Sequence, residues 1–232
     1  RNLNAMRRRQ QEAGTITACF HSLRPAGVTI RRRGRAANDG IHLPGAEREE
    51  EIRAMASVIM VYSTTDGHTV KICERLREVI EQQGHQVTIT ELKPGGSIDL
   101  APYDRIVIGA SIRYGKHKPE VAEFIEKNVE LLGAKPSAFF SVNAVARKPE
   151  KRDPDTNPYV RKFLKSISWQ PPVIGVFGGK IDYPQYGFVD KTMIRFIMWM
   201  MKGPTDPNSV TEFTDWDAVD ALGHRIGSDK PA

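Results

Sequence analysis

The chain has 232 residues, 40% of them hydrophobic, with two cysteines and a formal net charge of +6. That length admits one sizeable domain or two small ones. Cys19 and Cys73 form no metal-ligand spacing and no disulfide framework, so neither a structural metal nor an oxidising compartment is indicated.

The charge is concentrated at the beginning. Residues 1–54 hold eleven Arg, no Lys and six acidic residues, a net of +5, which leaves +1 from Met55 onward. Arginine triplets at Arg7-Arg8-Arg9 and Arg31-Arg32-Arg33, the run Glu49-Glu50-Glu51, scattered Gly and Pro and no sustained apolar periodicity predict a disordered leader. A targeting peptide would be poor in acids. A nucleic-acid arm would mix Lys with Arg and carry aromatics for stacking, so no nucleic-acid partner is expected. Residues 1–54 are read as upstream sequence translated from too early a start, and 55–232 as the domain proper.

Val58 to Tyr62, V-I-M-V-Y, reads as a central strand of a parallel sheet, where both faces are covered and no polar alternation is needed. It runs into Ser63, Thr64, Thr65, Asp66, Gly67, His68 and Thr69, a hydroxyl-rich turn that opens a helix. Unpaired N–H groups and the positive dipole end favour an anion there, and Gly67 lets the backbone close around it. The turn lacks the lysine of a Walker loop and the three glycines of a dinucleotide turn. A terminal monophosphate suits it, and an ordinary capped turn is the alternative. Asp66 should point outward and cap backbone N–H groups.

The rest of the chain alternates strand and helix. Helices are predicted over His68–Gln83, Pro119–Leu132, Pro158–Ser166 and Trp216–Ile226, and strands over Gln86–Leu92, Arg105–Ala110, Ser137–Val142 and Pro172–Gly179. This pattern implies an α/β fold, an open parallel sheet with helices on both faces that binds ligands at the carboxyl ends of its strands. Two loops at those ends are unusual: Ser111 to Gly115, and Asn143 to Pro158 with the basic residues Arg147, Lys148, Lys151 and Arg152. Residues 188–202, F-V-D-K-T-M-I-R-F-I-M-W-M-M-K, set Lys191, Arg195 and Lys202 on one stripe of an otherwise apolar helix. It is too short to cross a bilayer, so a helix lying in the membrane interface is expected. The alternatives are packing on the chain's own core or on a second copy in a homo-oligomer.

The turn resembles the phosphate loop of flavodoxins, whose T-x-T-G-x-T pattern falls on Thr64, Asp66, Gly67 and Thr69, with Asp66 departing from it. With I-G-A-S-I-R-Y-G, S-V-N-A-V-A-R-K-P-E-K-R and T-D-W, residues from Met55 to about Ile226 resemble the flavodoxin-like, menaquinone-dependent protoporphyrinogen oxidases of bacteria. The resemblance implies a flavodoxin-like fold with an inserted basic loop and an apolar helix. It implies FMN held by residues 63–69, with the ring lined by Ser111, Ile112, Arg113, Tyr114, Gly115, Asn143, Ala144 and Val145, and Tyr114 stacked on its face. It implies haem-biosynthetic oxidation of protoporphyrinogen IX to protoporphyrin IX, with electrons passed to menaquinone or ubiquinone. Arg147, Lys148, Lys151 and Arg152 would then hold the propionates, and residues 188–202 would place the enzyme on the cytoplasmic face of the bacterial inner membrane. No residue must act as a general base, although His68 and His117 are possible proton acceptors. The rival readings are a flavodoxin-type electron carrier, which the basic loop disfavours, and a flavin-free interaction module.

Overall fold

Apolar runs with no polar alternation need cover on both faces, and the four such runs of this chain occupy one sheet. The structure is a computed structural model that describes residues 55–228, so the leader expected over 1–54 lies outside the described residues. β1 (Ser57–Ser63), β2 (Gln86–Glu91), β3 (Arg105–Arg113), β5 (Ser137–Asn143) and β6 (Val173–Gly178) pair in the order β2-β1-β3-β5-β6, all parallel. Chain order reverses on either side of β1, which opens a crevice at the carboxyl ends of β1 and β3.

Alternate residues of the strands feed two cores. On one face Val58, Met60, Val107 and Phe140 meet α1 (His68–Glu81) and α6 (Trp216–Gly227) through Ile72, Leu76, Ile80, Val219 and Leu222. Cys73 is fully buried in this core, and burial pushes its thiol up. On the other face Ile59, Val61, Ile106, Ile108 and Phe139 meet Val121, Phe124, Ile125, Leu132 and Phe163. These come from α2 (Pro119–Lys127), α3 (Val129–Ala134) and α4 (Pro158–Leu164).

Three local features depart from the sequence reading. The single helix predicted over Pro119–Leu132 is broken at Asn128, whose side-chain amide donates to the Phe124 carbonyl at 2.8 Å and competes with the helical ladder. β3 runs on to Arg113 and returns as β4 (Lys116–His117) through Tyr114 and Gly115, at φ 51° and 79°. Positive φ at both central residues is the geometry of the tight hairpin turn that usually takes Asn-Gly, so a tyrosine there is strained. Beyond β6, a ribbon of β7 (Lys180–Asp182) and β8 (Val210–Glu212) carries between its strands α5 (Phe188–Met200), the apolar helix. No helix among the described residues is long and apolar enough to cross a membrane.

Candidate active site

The turn expected to hold a phosphate is built as a cradle. Gly67 adopts φ 78°, a left-handed conformation that an L side chain resists, and it caps α1 without any side-chain hydrogen bond. The Gly67 N–H donates to Thr64 Oγ1 at 3.1 Å, which leaves that hydroxyl's proton available to a ligand. The hydroxyls of Thr69 and Ser111 and His68 Nδ1 are buried without a hydrogen-bond partner. Buried polar atoms seldom stay unpaired, so the two hydroxyl donors fit an anion such as the FMN phosphate, whereas His68 Nδ1 can serve there only as an acceptor. His68 Nε2 lies 2.6 Å from Thr214 Oγ1, which itself donates to the Gly178 carbonyl at 2.9 Å. The neutral ring therefore carries its proton on Nε2, and burial lowers its pKa.

Asp66 does not cap the backbone as its sequence position predicts. Its carboxylate accepts from Arg113 Nη1 at 2.7 and 2.9 Å, which cancels the negative charge that would repel a phosphate. Arg113 Nη2 also donates to Asp190 on α5 at 2.8 Å, and the Tyr114 hydroxyl donates to the same carboxylate. The Tyr114 hydroxyl and the Arg113 guanidinium hold the Asp190 carboxyl below the usual carboxylate range. The guanidinium lies 5.3 Å from the Tyr114 ring and 5.1 Å from that of Tyr186. One arginine thus joins the phosphate turn, the hairpin tip and the apolar helix.

Beside the cradle opens a cavity of about 820 Å³. Thr64, Thr65, Asp66, His68, Thr69, Ser111 to Gly115, Asn143, Ala144 and Val145 all line it. Ser63 and Gly67 do not; Ser63 ends β1, buried, and Gly67 contributes its backbone shape. Asn143 reaches the lining, but its side chain serves the loop: Oδ1 accepts from the Ala146 N–H at 3.0 Å and from Asn157 Nδ2 at 3.1 Å. The far wall is α5, through Met193, Ile194, Ile197, Met198 and Met200, with Met201 just past its end. Methionine side chains are flexible and polarisable, a lining that adapts to a large apolar guest.

The flavodoxin-domain model matches residues 59–208. Protoporphyrinogen IX dehydrogenase [quinone] of Leishmania major is 43% identical over 162 residues, 69% of this chain and 70% of that protein. The protein of the same name from Escherichia coli K12 is 41% identical over 175 residues, 75% of this chain and 97% of that one. The chain belongs to the flavodoxin-domain family of quinone-linked protoporphyrinogen IX dehydrogenases. Oxidised Flavodoxin 1 from Bacillus cereus, at 13% identity, covers 74% of this chain and 97% of its own with a TM-score of 0.44, an overlap too loose to add to this.

In this dehydrogenase-family chain three of the four basic side chains of the loop are held down, and that of Lys148 is exposed and makes no hydrogen bond or ion pair among the described residues. None of Arg147, Lys148, Lys151 and Arg152 lines the cavity. Arg147 donates to the Ala144 carbonyl at 3.1 Å and to that of Met201, so it fastens the end of α5 to the loop. Arg152 pairs with Asp215, the cap of α6, at 2.5 Å, and Lys151 reaches the Thr156 carbonyl at 3.2 Å. Fully buried Asn157 organises the loop by capping α4 and donating to the Lys151 carbonyl at 2.9 Å.

The lining also contains residues that the sequence reading passed over: Lys116, Tyr159, Lys180 and Tyr186. Lys116 comes from the hairpin and Lys180 and Tyr186 from the β7–β8 ribbon and its loop, none of which has a periodic signature, while Tyr159 sits on the predicted helix α4, whose period does not say what its first turn meets. His117 does not line it. Its Nε2 lies 3.0 Å from Ser141 Oγ, its ring packs against Phe139 and Phe163, and burial lowers its pKa to about 4. No cluster able to hold a metal ion occurs among the described residues.

Proposed function

We propose that this protein oxidises protoporphyrinogen IX to protoporphyrin IX with FMN as its cofactor and passes the electrons to a membrane quinone, menaquinone or ubiquinone. The observation that carries this is the coincidence of family membership with a lysine-free, donor-rich cradle opening onto an apolar cavity. FMN supplies the two-electron chemistry, taken three times per substrate. The protein's contribution is to hold, orient and keep water out. Thr64, Thr65, Gly67, His68 and Thr69 would hold the phosphate through hydroxyl and backbone donors, and Ser111 to Gly115 with Ala144 and Val145 would border the ring. Arg113 keeps Asp66 neutralised beside the phosphate. The α5 wall offers an adaptable apolar surface to a macrocycle or a quinone head.

Phe188, Val189, Phe196 and Trp199 of α5 are 85%, 74%, 56% and 69% exposed. Flanked by Arg195 and Lys202, that outward face supports peripheral binding to a bilayer, in a bacterial cell at the cytoplasmic face of the inner membrane. A shared homo-oligomer interface is the competing use of the same face. The test is direct: the purified protein should carry FMN and, without oxygen, convert protoporphyrinogen IX only when a menaquinone analogue is added. Flavin that reduces and reoxidises without tetrapyrrole turnover would instead mark an electron carrier. Colourless folded protein that takes up no FMN would overturn both.

A further inference from the structure

We propose that Lys116 is a specificity-determining residue that receives a carboxylate arm of the tetrapyrrole, an inference that rests on the function proposed above. Three Lys or Arg side chains, Arg113, Lys116 and Lys180, line the cavity. Arg113 is committed to Asp66 at 2.7 Å and Asp190 at 2.8 Å, and Lys180 to Asp182 at 2.7 Å. Lys116 alone of the three has no hydrogen bond or ion pair among the described residues. The acids beside the mouth, Asp66 and Asp190, are already engaged by Arg113 and do not compete for it.

Its placement is set by the backbone. Lys116 opposes Arg113 across the β3–β4 hairpin, and the turn before it is confined on one side by Tyr159, whose ring would lie 3.2 Å from a Cβ on Gly115. The side chain is exposed at the rim, while Ile112, Val142, Val145, Ile194 and Ile197 make the interior apolar. An amphipathic macrocycle sorts itself accordingly, with its body among the apolar side chains and its charges outward. A solvated ammonium at the mouth costs little before binding. The incoming carboxylate then meets it where the macrocycle excludes water on one side, so the pair exceeds an ordinary surface ion pair. Of the Arg147 to Arg152 cluster, Arg147, Lys151 and Arg152 are tied down, and Lys148, exposed and unpaired among the described residues, lies outside the lining with them.

The experiment compares the diacid with its dimethyl ester, which has the same macrocycle without charge. In anaerobic steady-state assays of the FMN-loaded full chain, Lys116→Ala should raise KM for protoporphyrinogen IX about tenfold while changing that for the ester less than about twofold. Lys116→Arg should recover most of the loss. Equal losses on diacid and ester, or no loss on either, overturn the assignment. Fluorescence titration with the stable product protoporphyrin IX and its dimethyl ester gives the same comparison without turnover. A chain that fails to turn over yet shows a Lys116-dependent preference for the diacid loses the oxidase reading and keeps the carboxylate site. A chain that binds acid and ester alike, with or without Lys116, loses the site.

Discussion

Gly109 and Asp66 show how a single position acts through partners far along the chain. Gly109 lies within β3, and a Cβ there would overlap the Phe140 ring of the neighbouring strand, a fully buried side chain. Gly109→Ala should therefore destabilise the fold by about 1–3 kcal/mol through overpacking, read from the denaturant midpoint at unchanged slope. A loss below a few tenths of a kcal/mol would mean that the Phe140 ring steps aside freely. Thr64, Gly67 and Thr69 were legible as a hydroxyl-rich, glycine-bent turn opening a helix because hydroxyl type and glycine position are local properties. The role of Asp66 was not legible, because its partner Arg113 stands 47 positions away.

α5 is attached at two ends and presents two faces. Its N-terminal end is held by the Asp190 contacts to Arg113 and Tyr114, and its C-terminal end by buried Met198 and by Arg147 on the Met201 carbonyl. Asp190→Asn should loosen the N-terminal attachment. FMN content should be retained, KM for the tetrapyrrole should rise several-fold, and the helix should be cut more readily by trypsin at Lys191 or Arg195. Unchanged proteolysis and KM would show that the latch does not position the helix. The two faces also separate two substitutions: Phe196→Glu, on the outward side, should release the protein from anionic vesicles with activity on soluble quinone intact. Ile197→Glu, on the cavity side, should impair turnover and leave vesicle binding in place. Vesicle binding that survives Phe196→Glu together with Trp199→Glu would leave the outward face to a second copy of the chain.

Taken as one folded unit, residues 55–228 couple the sheet's carboxyl end to the stability of the fold. His117 is held neutral between Phe139 and Phe163, with its pKa lowered from an ordinary 6.5 to about 4 by burial. A group whose folded pKa is depressed contributes stability that is fully present above its unfolded value and lost as the pH falls through the folded one. Unfolding free energy should accordingly fall between about pH 6.5 and pH 4, by on the order of 2–3 kcal/mol from this residue. His117→Phe should flatten that part of the profile, and a profile as steep as the parent's would assign the acid sensitivity to other groups.

From the residues alone one could read the four buried strands, the helices between them, the hydroxyl-rich turn after β1 and the apolar character of residues 188–202. Each of these is written in local composition or in a period of two or 3.6 residues. Folding decided which cations line the cavity. Arg147 and Arg152 were drawn into holding the loop to α5 and α6, and a hairpin too short to show any period turned Lys116 to the cavity mouth. Folding also divided α5 into a wall and an outer surface. Periodicity reports that a helix has an apolar side, but what that side meets depends on elements brought beside it from distant parts of the chain.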